Sequence, residues 1–147
     1  MGTSYTEYRG HGFWAGDAHI EMWLYFLSEE VAQLSERPAW LDAAQDHWRS
    51  QATVGFVGCV SACLDEHVGV DPDRVATVLA LSARTRARVE GWAPAIPRDV
   101  ANGFGTGGEG SYFTHDVDTE PLLKVADAFV ALLRGEITGE RGTVWAY

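Results

Sequence analysis

The stretch from Arg9 to Trp23 is dense in chemically active side chains. It reads RGHGFWAGDAHIEMW and holds two His, one Asp, one Glu and two Trp in fifteen residues. Imidazoles and carboxylates at such short spacing are the groups that proteins use to bind metals or to move protons. Whether they act together depends on the element that carries them.

A helical pattern begins at Asp17, and it separates these groups. Asp17 and Glu21 are four residues apart and therefore share one face, whereas His19 lies about 200° around the helix from each. A metal site that uses His19 with Glu21 is therefore not expected. Asp17 is predicted as a cap or first-turn acid of the helix.

Glu21 lies directly beside the apolar stripe formed by Ile20, Trp23 and Leu24. A carboxylate in that position is predicted either to be half-buried against a cation or to be poised for general acid–base work. Four arginines are candidates for the cation, namely Arg9, Arg84, Arg86 and Arg88.

A second group of polar and aromatic side chains follows in SYFTHDVD, residues 111–118. Aromatic residues beside acids in a long connection are typical of a contact with a partner or a ligand. An alternative is structural, with Asp116 or Asp118 capping the final helix while Tyr112 and Phe113 pin the loop to the core. If the chain is an enzyme, Glu21, His115 and Asp116 are its predicted site, with the loop as a lid.

Two further motifs do not predict a cofactor. GFGTGG, residues 103–108, matches G-x-G-x-x-G, but a Pro-rich stretch precedes it and Glu109 follows, so nucleotide binding is not expected. Cys59 and Cys63 are four apart in an apolar run and lack a second Cys or His pair at zinc spacing. They are predicted to be small core residues of a reduced protein, and no metal or cofactor is expected.

The apolar periodicity predicts a mainly α protein, a compact single-domain bundle of about five helices spanning 1–147. One helix begins at Asp17, and a central core helix is predicted over 51–67. Asp71 and Pro72 start another helix, which Gly91 ends, and the final helix begins around 119–121. A long Gly-rich loop spans 91–118, and short strands are predicted at the two termini, the last from TVWAY.

The net charge of the chain favours some kinds of binding partner and disfavours others. The chain has 21 acidic and 11 basic residues, a net charge of −10, which repels nucleic-acid phosphates and favours a cationic partner. The N-terminus lacks the apolar core of a signal peptide, and the longest uncharged stretch, Ser50 to Leu64, is too short for a membrane span. We therefore expect a cytoplasmic protein that binds neither nucleic acid nor a membrane.

These features favour an acidic helical binding protein that neutralises or sequesters a basic protein. In size and charge the chain is similar to the bacterial immunity proteins and antitoxins that neutralise cationic toxins. Two alternatives remain open: a small hydrolase or metal-assisted lyase that uses the Glu21 site, and a structural homodimer subunit. The predicted partner contacts are Glu29, Glu30, Tyr112, Phe113 and Asp116.

Overall fold

The computed structural model describes residues 2–53, 58–103 and 112–147, and the chain begins with a β-hairpin. Strands β1 (Thr3–Tyr8) and β2 (His11–Gly16) pair antiparallel. Arg9 and Gly10, with φ of 52° and 80°, form the two-residue turn between them, as the right-handed twist of a hairpin favours. The sequence predicted a short strand at this terminus but not a hairpin. Two of the inward-facing residues of β1 are the polar Ser4 and Thr6, so the apolar alternation that marks a strand is weak.

The rest of the described chain is mainly helical, as predicted. Its six helices are α1 (Asp17–Ala32), α2 (Ala39–Gln51), α3 (Leu64–His67), α4 (Pro72–Glu90), α5 (Arg98–Asn102) and α6 (Thr119–Leu133). Asp71 caps α4 as expected, because its Oδ1 accepts a hydrogen bond of 2.9 Å from the Asp73 N–H. Among the described residues, no helix combines the length and apolar composition needed to cross a membrane.

The predicted central helix over 51–67 is wrong. Helix α2 ends at Gln51, residues 58–63 are not helical, and α3 has only four residues. Val60, Ala62 and Leu64 are buried in alternation with exposed or half-buried neighbours, which is the period of an extended chain. A continuous apolar run does not distinguish that period from a buried helix.

The two cysteines consequently do not share a helix face in the core. Cys59 is exposed, and Cys63 is half-buried with a φ of 46°, which is uncommon for a residue other than glycine. The prediction that both are core residues is therefore wrong. That prediction assumed a helix through this segment, and residues 58–63 are not helical.

The predicted loop over 91–118 contains regular structure in its described parts. Strand β3 (Ala95–Ile96) pairs antiparallel with β4 (Val117–Asp118), and α5 follows β3 directly. These short elements fall below the length at which periodicity can be detected in a sequence. Residues 104–111, which hold most of the GFGTGG motif, lie outside the described residues.

Helix α1 lies at the centre of the hydrophobic core. It is buried on several sides and packs against α2, α4, α6 and the hairpin. Trp23, which is fully buried, meets Phe129 of α6 edge-on with ring centroids 5.6 Å apart. A helix buried on several sides has a weak amphipathic signal, yet its length and apolar content still identify it.

The C-terminal segment returns to the N-terminal hairpin, where TVWAY forms a single bridge and not the predicted short strand. Trp14 and Trp145 form a parallel bridge, in which the Trp14 N–H donates to the Val144 carbonyl (2.8 Å) and the Ala146 N–H donates to the Trp14 carbonyl (2.9 Å). The Trp14 and Trp145 rings stack with centroids 5.6 Å apart. The predicted terminal strands are thus a full hairpin at one end and a single bridge at the other.

Candidate functional site

Asp17, the first acid of the opening cluster, is fully buried at the junction of three segments. Its Oδ1 accepts a hydrogen bond from the Ser4 hydroxyl (2.6 Å), and its Oδ2 accepts one from the Gly58 N–H (2.5 Å). The Val60 N–H in turn donates to the Ser4 hydroxyl oxygen (3.0 Å). Asp17 is a first-turn acid as expected, but its side chain joins the hairpin and residues 58–60 to α1 instead of capping α1. We call these four residues the Asp17 network.

Glu21 is also fully buried, whereas His115 and Asp116 are exposed. His115 and Asp116 line two grooves, one completed by Ala18 and His19 at the first turn of α1 and the other by residues 97–99, and Glu21 lines neither. The structure therefore does not place the three residues of the predicted enzyme site around one described groove.

Three of the four arginines named as candidates for Glu21 form ion pairs with other carboxylates. Arg84 Nε lies 3.2 Å from Glu30 Oε2, and Arg88 Nη1 lies 2.8 Å from Glu29 Oε2. Arg86 pairs with Glu90 and Asp127. Glu29 and Glu30, two of the predicted partner contacts, are thus neutralised within the chain between α1 and α4.

The other three predicted contacts lie together on residues 112–116. Tyr112 is 47% exposed, and its ring meets that of Phe113 edge-on, with centroids 5.0 Å apart. The Asn102 side chain donates to the Phe113 carbonyl (2.9 Å) and accepts from the Phe113 N–H (2.8 Å). This two-way pairing fixes the aromatic residues against the end of α5.

Asp116 forms a hydrogen bond with the first residue of α5. Its Oδ1 accepts a hydrogen bond of 2.9 Å from the Arg98 N–H, so Asp116 supports the start of α5 and not that of α6. Asp118 is the N-cap residue of α6 but makes no side-chain capping bond. In the part of the chain that the structure describes, Asp116 and Asp118 have no ion-pair partner.

A groove of about 400 Å³ separates residues 112–117 from the start of α1. We use the name aromatic–acidic face for Tyr112, Phe113, His115 and Asp116, which line one side of it. His19 lines the other side, together with Ala18. The face offers aromatic surface, imidazole and carboxylate to one ligand. Within the described ranges, no group of three or more His, Cys, Asp or Glu side chains is arranged to hold a metal ion.

Asn102 and Arg98, which hold this face in place, were not predicted from the sequence. Neither residue belongs to a motif, and the partner of each lies more than ten residues further along the chain. Only the β3–β4 pairing, which returns the chain to α5, brings them together. No local signal in the sequence could have identified them.

Burial lowers the pKa of His19 below its ordinary value of 6.5. Burial also lowers the pKa of His67, where the nearby His47 adds to the effect and Glu66 opposes it. Because the folded protein favours the neutral imidazoles, the unfolded chain binds more protons just below pH 6.5. The contribution of these neutral imidazoles to the free energy of unfolding is therefore complete above pH 6.5. It is lost as the pH falls through 6.5 toward the lowered pKa of the folded protein.

We expect the free energy of unfolding to fall between pH 7.5 and 5.5, by up to about 1.4 kcal/mol per pH unit for each proton taken up. Urea denaturation across this range measures it. In His19→Gln the slope should be smaller than in the wild type. Equal slopes in the two proteins would contradict the assignment to His19.

Comparisons of the chain with family models, with curated proteins and with solved structures find no match.

Proposed function

We propose that this chain is an acidic helical binding protein that sequesters a basic protein partner through the aromatic–acidic face. The observation that carries the proposal is the exposed Tyr112, packed on Phe113 and set beside Asp116, whose charge is not balanced by an ion pair in the described chain. The net charge of −10 extends the same electrostatic preference over the whole molecule.

Each part of this face suits a different step of association. Carboxylates with uncompensated charge attract a cationic partner and raise the rate of encounter. A tyrosine supplies a large contact area at a small entropic cost, and tyrosines are enriched among residues that dominate interface energies. The hydrogen bonds from Asn102 and Arg98 hold the face before the partner arrives, which lowers the cost of ordering it.

Glu29 and Glu30 are a weaker part of the same hypothesis. To contact a basic partner they would have to give up Arg88 and Arg84, with which they are already paired. Glu30 is buried while Arg84 is half exposed, so breaking their pair leaves a largely desolvated carboxylate without its counterion. The proposal therefore places the main contacts at Tyr112, Phe113 and Asp116.

The partner proposed is a cationic protein, and a toxin neutralised by a small acidic protein is the example that fits the size and charge of this chain. A catalytic role for Glu21, His115 and Asp116 has less support, since Glu21 is fully buried and lines neither of the grooves that the other two line.

The test begins with affinity capture from the source cells at 150 mM salt, followed by titration of the purified partner. We expect a partner of net positive charge whose affinity falls as salt is raised. Tyr112→Ala should weaken binding by about 2 kcal/mol, roughly thirtyfold. Asp116→Asn keeps an acceptor for the Arg98 N–H, removes the charge, and should mainly lower the association rate.

Asp46→Asn is the matched control, because Asp46 is an exposed acid on α2 without an ion pair in the described chain. It should bind within twofold of the wild type. An acidic partner, or equal losses for Asp46→Asn and Asp116→Asn, would contradict the proposal. Light scattering tests the homodimer alternative: a dimer at micromolar concentration that Tyr147→Ser disrupts and Tyr112→Ala does not would favour association through the exposed Trp145 and Tyr147.

A further inference from the structure

A cleft of about 310 Å³ lies between the turn of the β-hairpin and the end of α6. It lies apart from the aromatic–acidic face and shares no lining residue with it. Its size is at the lower end of the range for sites that bind small ligands. The hairpin contributes Tyr8, Arg9 and His11, and the end of α6 with the residues after it contributes Leu132, Leu133, Arg134, Gly135 and Ile137.

Two positively charged side chains line this cleft, although the protein is strongly acidic. Arg9 and Arg134 have no ion-pair partner within the described residues, although the chain has ten more acidic than basic residues. Arg49 is the only other Lys or Arg without an ion-pair partner in the described part of the chain. The remaining eight each lie within 4.0 Å of a carboxylate oxygen. Two of the three cations without a counterion therefore line one cleft, and His11 lies beside them.

The wall between these cations is apolar. Leu132 and Leu133 are buried, Ile137 is half-buried, and the Tyr8 ring is almost fully buried. The Tyr8 hydroxyl donates to the Gly69 carbonyl, so the residue presents mainly its ring to the cleft. A ligand that matches this lining carries an anionic group for the arginines and a short apolar body for the leucines.

Backbone hydrogen bonds hold the main chain at both arginines, whose side chains are exposed. Arg9 occupies the left-handed region in the hairpin turn, and its N–H donates to Asp65 Oδ1 (3.0 Å). That bond engages the Asp65 carboxylate through the backbone and leaves the Arg9 guanidinium available. Arg134 ends α6, where its N–H donates to the Val130 carbonyl, and Gly135, with a φ of 72°, turns the chain so that Ile137 closes the cleft.

We infer that this cleft binds a small organic oxyanion, a carboxylate or phosphate joined to a short apolar group. Guanidinium groups donate paired hydrogen bonds to such oxygens, and the charge-assisted bonds are stronger than neutral ones. The anion is either part of a free small molecule or the terminal carboxylate of a polypeptide with an apolar last residue. The two sources share one chemistry and are separated by experiment.

The test is an NMR titration of the full chain at 150 mM salt with hexanoate, phenyl phosphate and hexylamine. Hexanoate or phenyl phosphate should shift the amide signals of Leu133, Gly135 and Ile137 in a saturable way, with a Kd of roughly 1 mM or tighter. Hexylamine has the same apolar body as hexanoate and the opposite charge, and it should not bind. Saturable shifts of equal size with hexylamine, or no saturable shift with either anion, would overturn the inference.

Charge-neutral variants locate the site. Arg134→Gln should raise the Kd about tenfold, and Arg9→Gln by a similar factor. Arg49→Gln removes the third arginine without a counterion, outside the cleft, and should stay within twofold of the wild type. If Arg134→Gln and Arg49→Gln bind equally well while both are folded by circular dichroism, the cleft is not the site.

A short apolar peptide with a free C-terminus, compared with its amide, distinguishes the source of the anion. Tighter binding of the free acid than of hexanoate indicates the end of a polypeptide. Tighter binding of hexanoate or phenyl phosphate indicates a small molecule. If the amide binds as well as the free acid, the arginines do not recognise the anion and the inference fails.

Discussion

Trp23→Ala is expected to lower the free energy of unfolding by about 3–5 kcal/mol, a large share of the roughly 5–15 kcal/mol that holds a typical domain folded. Trp23 is fully buried in α1 and contacts Phe129 of α6 edge-on. Removal of the indole takes away its apolar burial and leaves a cavity between these helices, which the surrounding side chains fill only in part. Urea denaturation followed by circular dichroism measures the loss.

A comparison of two tryptophans tests the packing in more detail. The Trp23 indole N–H has no hydrogen-bond partner within the described residues, whereas the Trp48 indole N–H donates to the Ala62 carbonyl (2.9 Å). Trp48→Phe therefore leaves a buried carbonyl without its donor, and Trp23→Phe leaves no known acceptor unpaired. We expect Trp48→Phe to be the more destabilising by about 1 kcal/mol. The reverse order, or a loss below about 1 kcal/mol for Trp23→Ala, would contradict this account of the core.

Asp17→Ala is expected to lower the free energy of unfolding by about 2–5 kcal/mol, because it removes the acceptor of two hydrogen bonds at once. The Ser4 hydroxyl and the Gly58 N–H would each lose their partner. Ser4 also accepts from the Val60 N–H, so the loss should spread to the packing of residues 58–60. Amide hydrogen exchange at Gly58 and Val60 should become faster, together with the fall in stability.

Asp17→Asn separates the loss of the acceptor from the loss of the charge. The amide oxygen can replace one of the two acceptors, so this variant should lie between the wild type and Asp17→Ala. Asp46→Ala, an exposed acid on α2, is the control and should change stability by less than about 0.5 kcal/mol. If Asp17→Ala matches Asp46→Ala, then the Asp17 network is not a structural element of the fold.

The beginnings of α1, α4 and α6 could be predicted from the sequence because their signals are local. Asp71 and Pro72 mark the start of α4, and the helical pattern from Asp17 marks the start of α1. The segment over 58–64 could not be predicted, since its alternating burial depends on which neighbours it meets. The predicted helix there placed the cysteines in the core, where the structure does not put them.

The candidate site, too, could be predicted from the sequence only in part. Residues 112–118 stood out by composition alone, and the structure brings Tyr112, Phe113, His115 and Asp116 to one groove. The roles of the carboxylates could not be predicted from the sequence. Whether a carboxylate has an ion-pair partner depends on the side chains that lie beside it in the folded protein. Glu29 and Glu30 meet Arg88 and Arg84, from a helix more than fifty residues away in the chain, and Asp116 meets no cation in the described part.

The sequence by itself determined the mainly helical class, the long helices from Asp17, Asp71 and Thr119, and the acidic character of the molecule, because composition and short-range periodicity carry that information. Only the tertiary structure decided that Asp17 joins three segments, that Glu21 is buried, and that Arg9 and Arg134 converge on one cleft. Contacts between residues far apart in the chain set the surroundings of each charge. Those surroundings, and not the residue type, decide whether a polar group supports the fold or is available to a ligand.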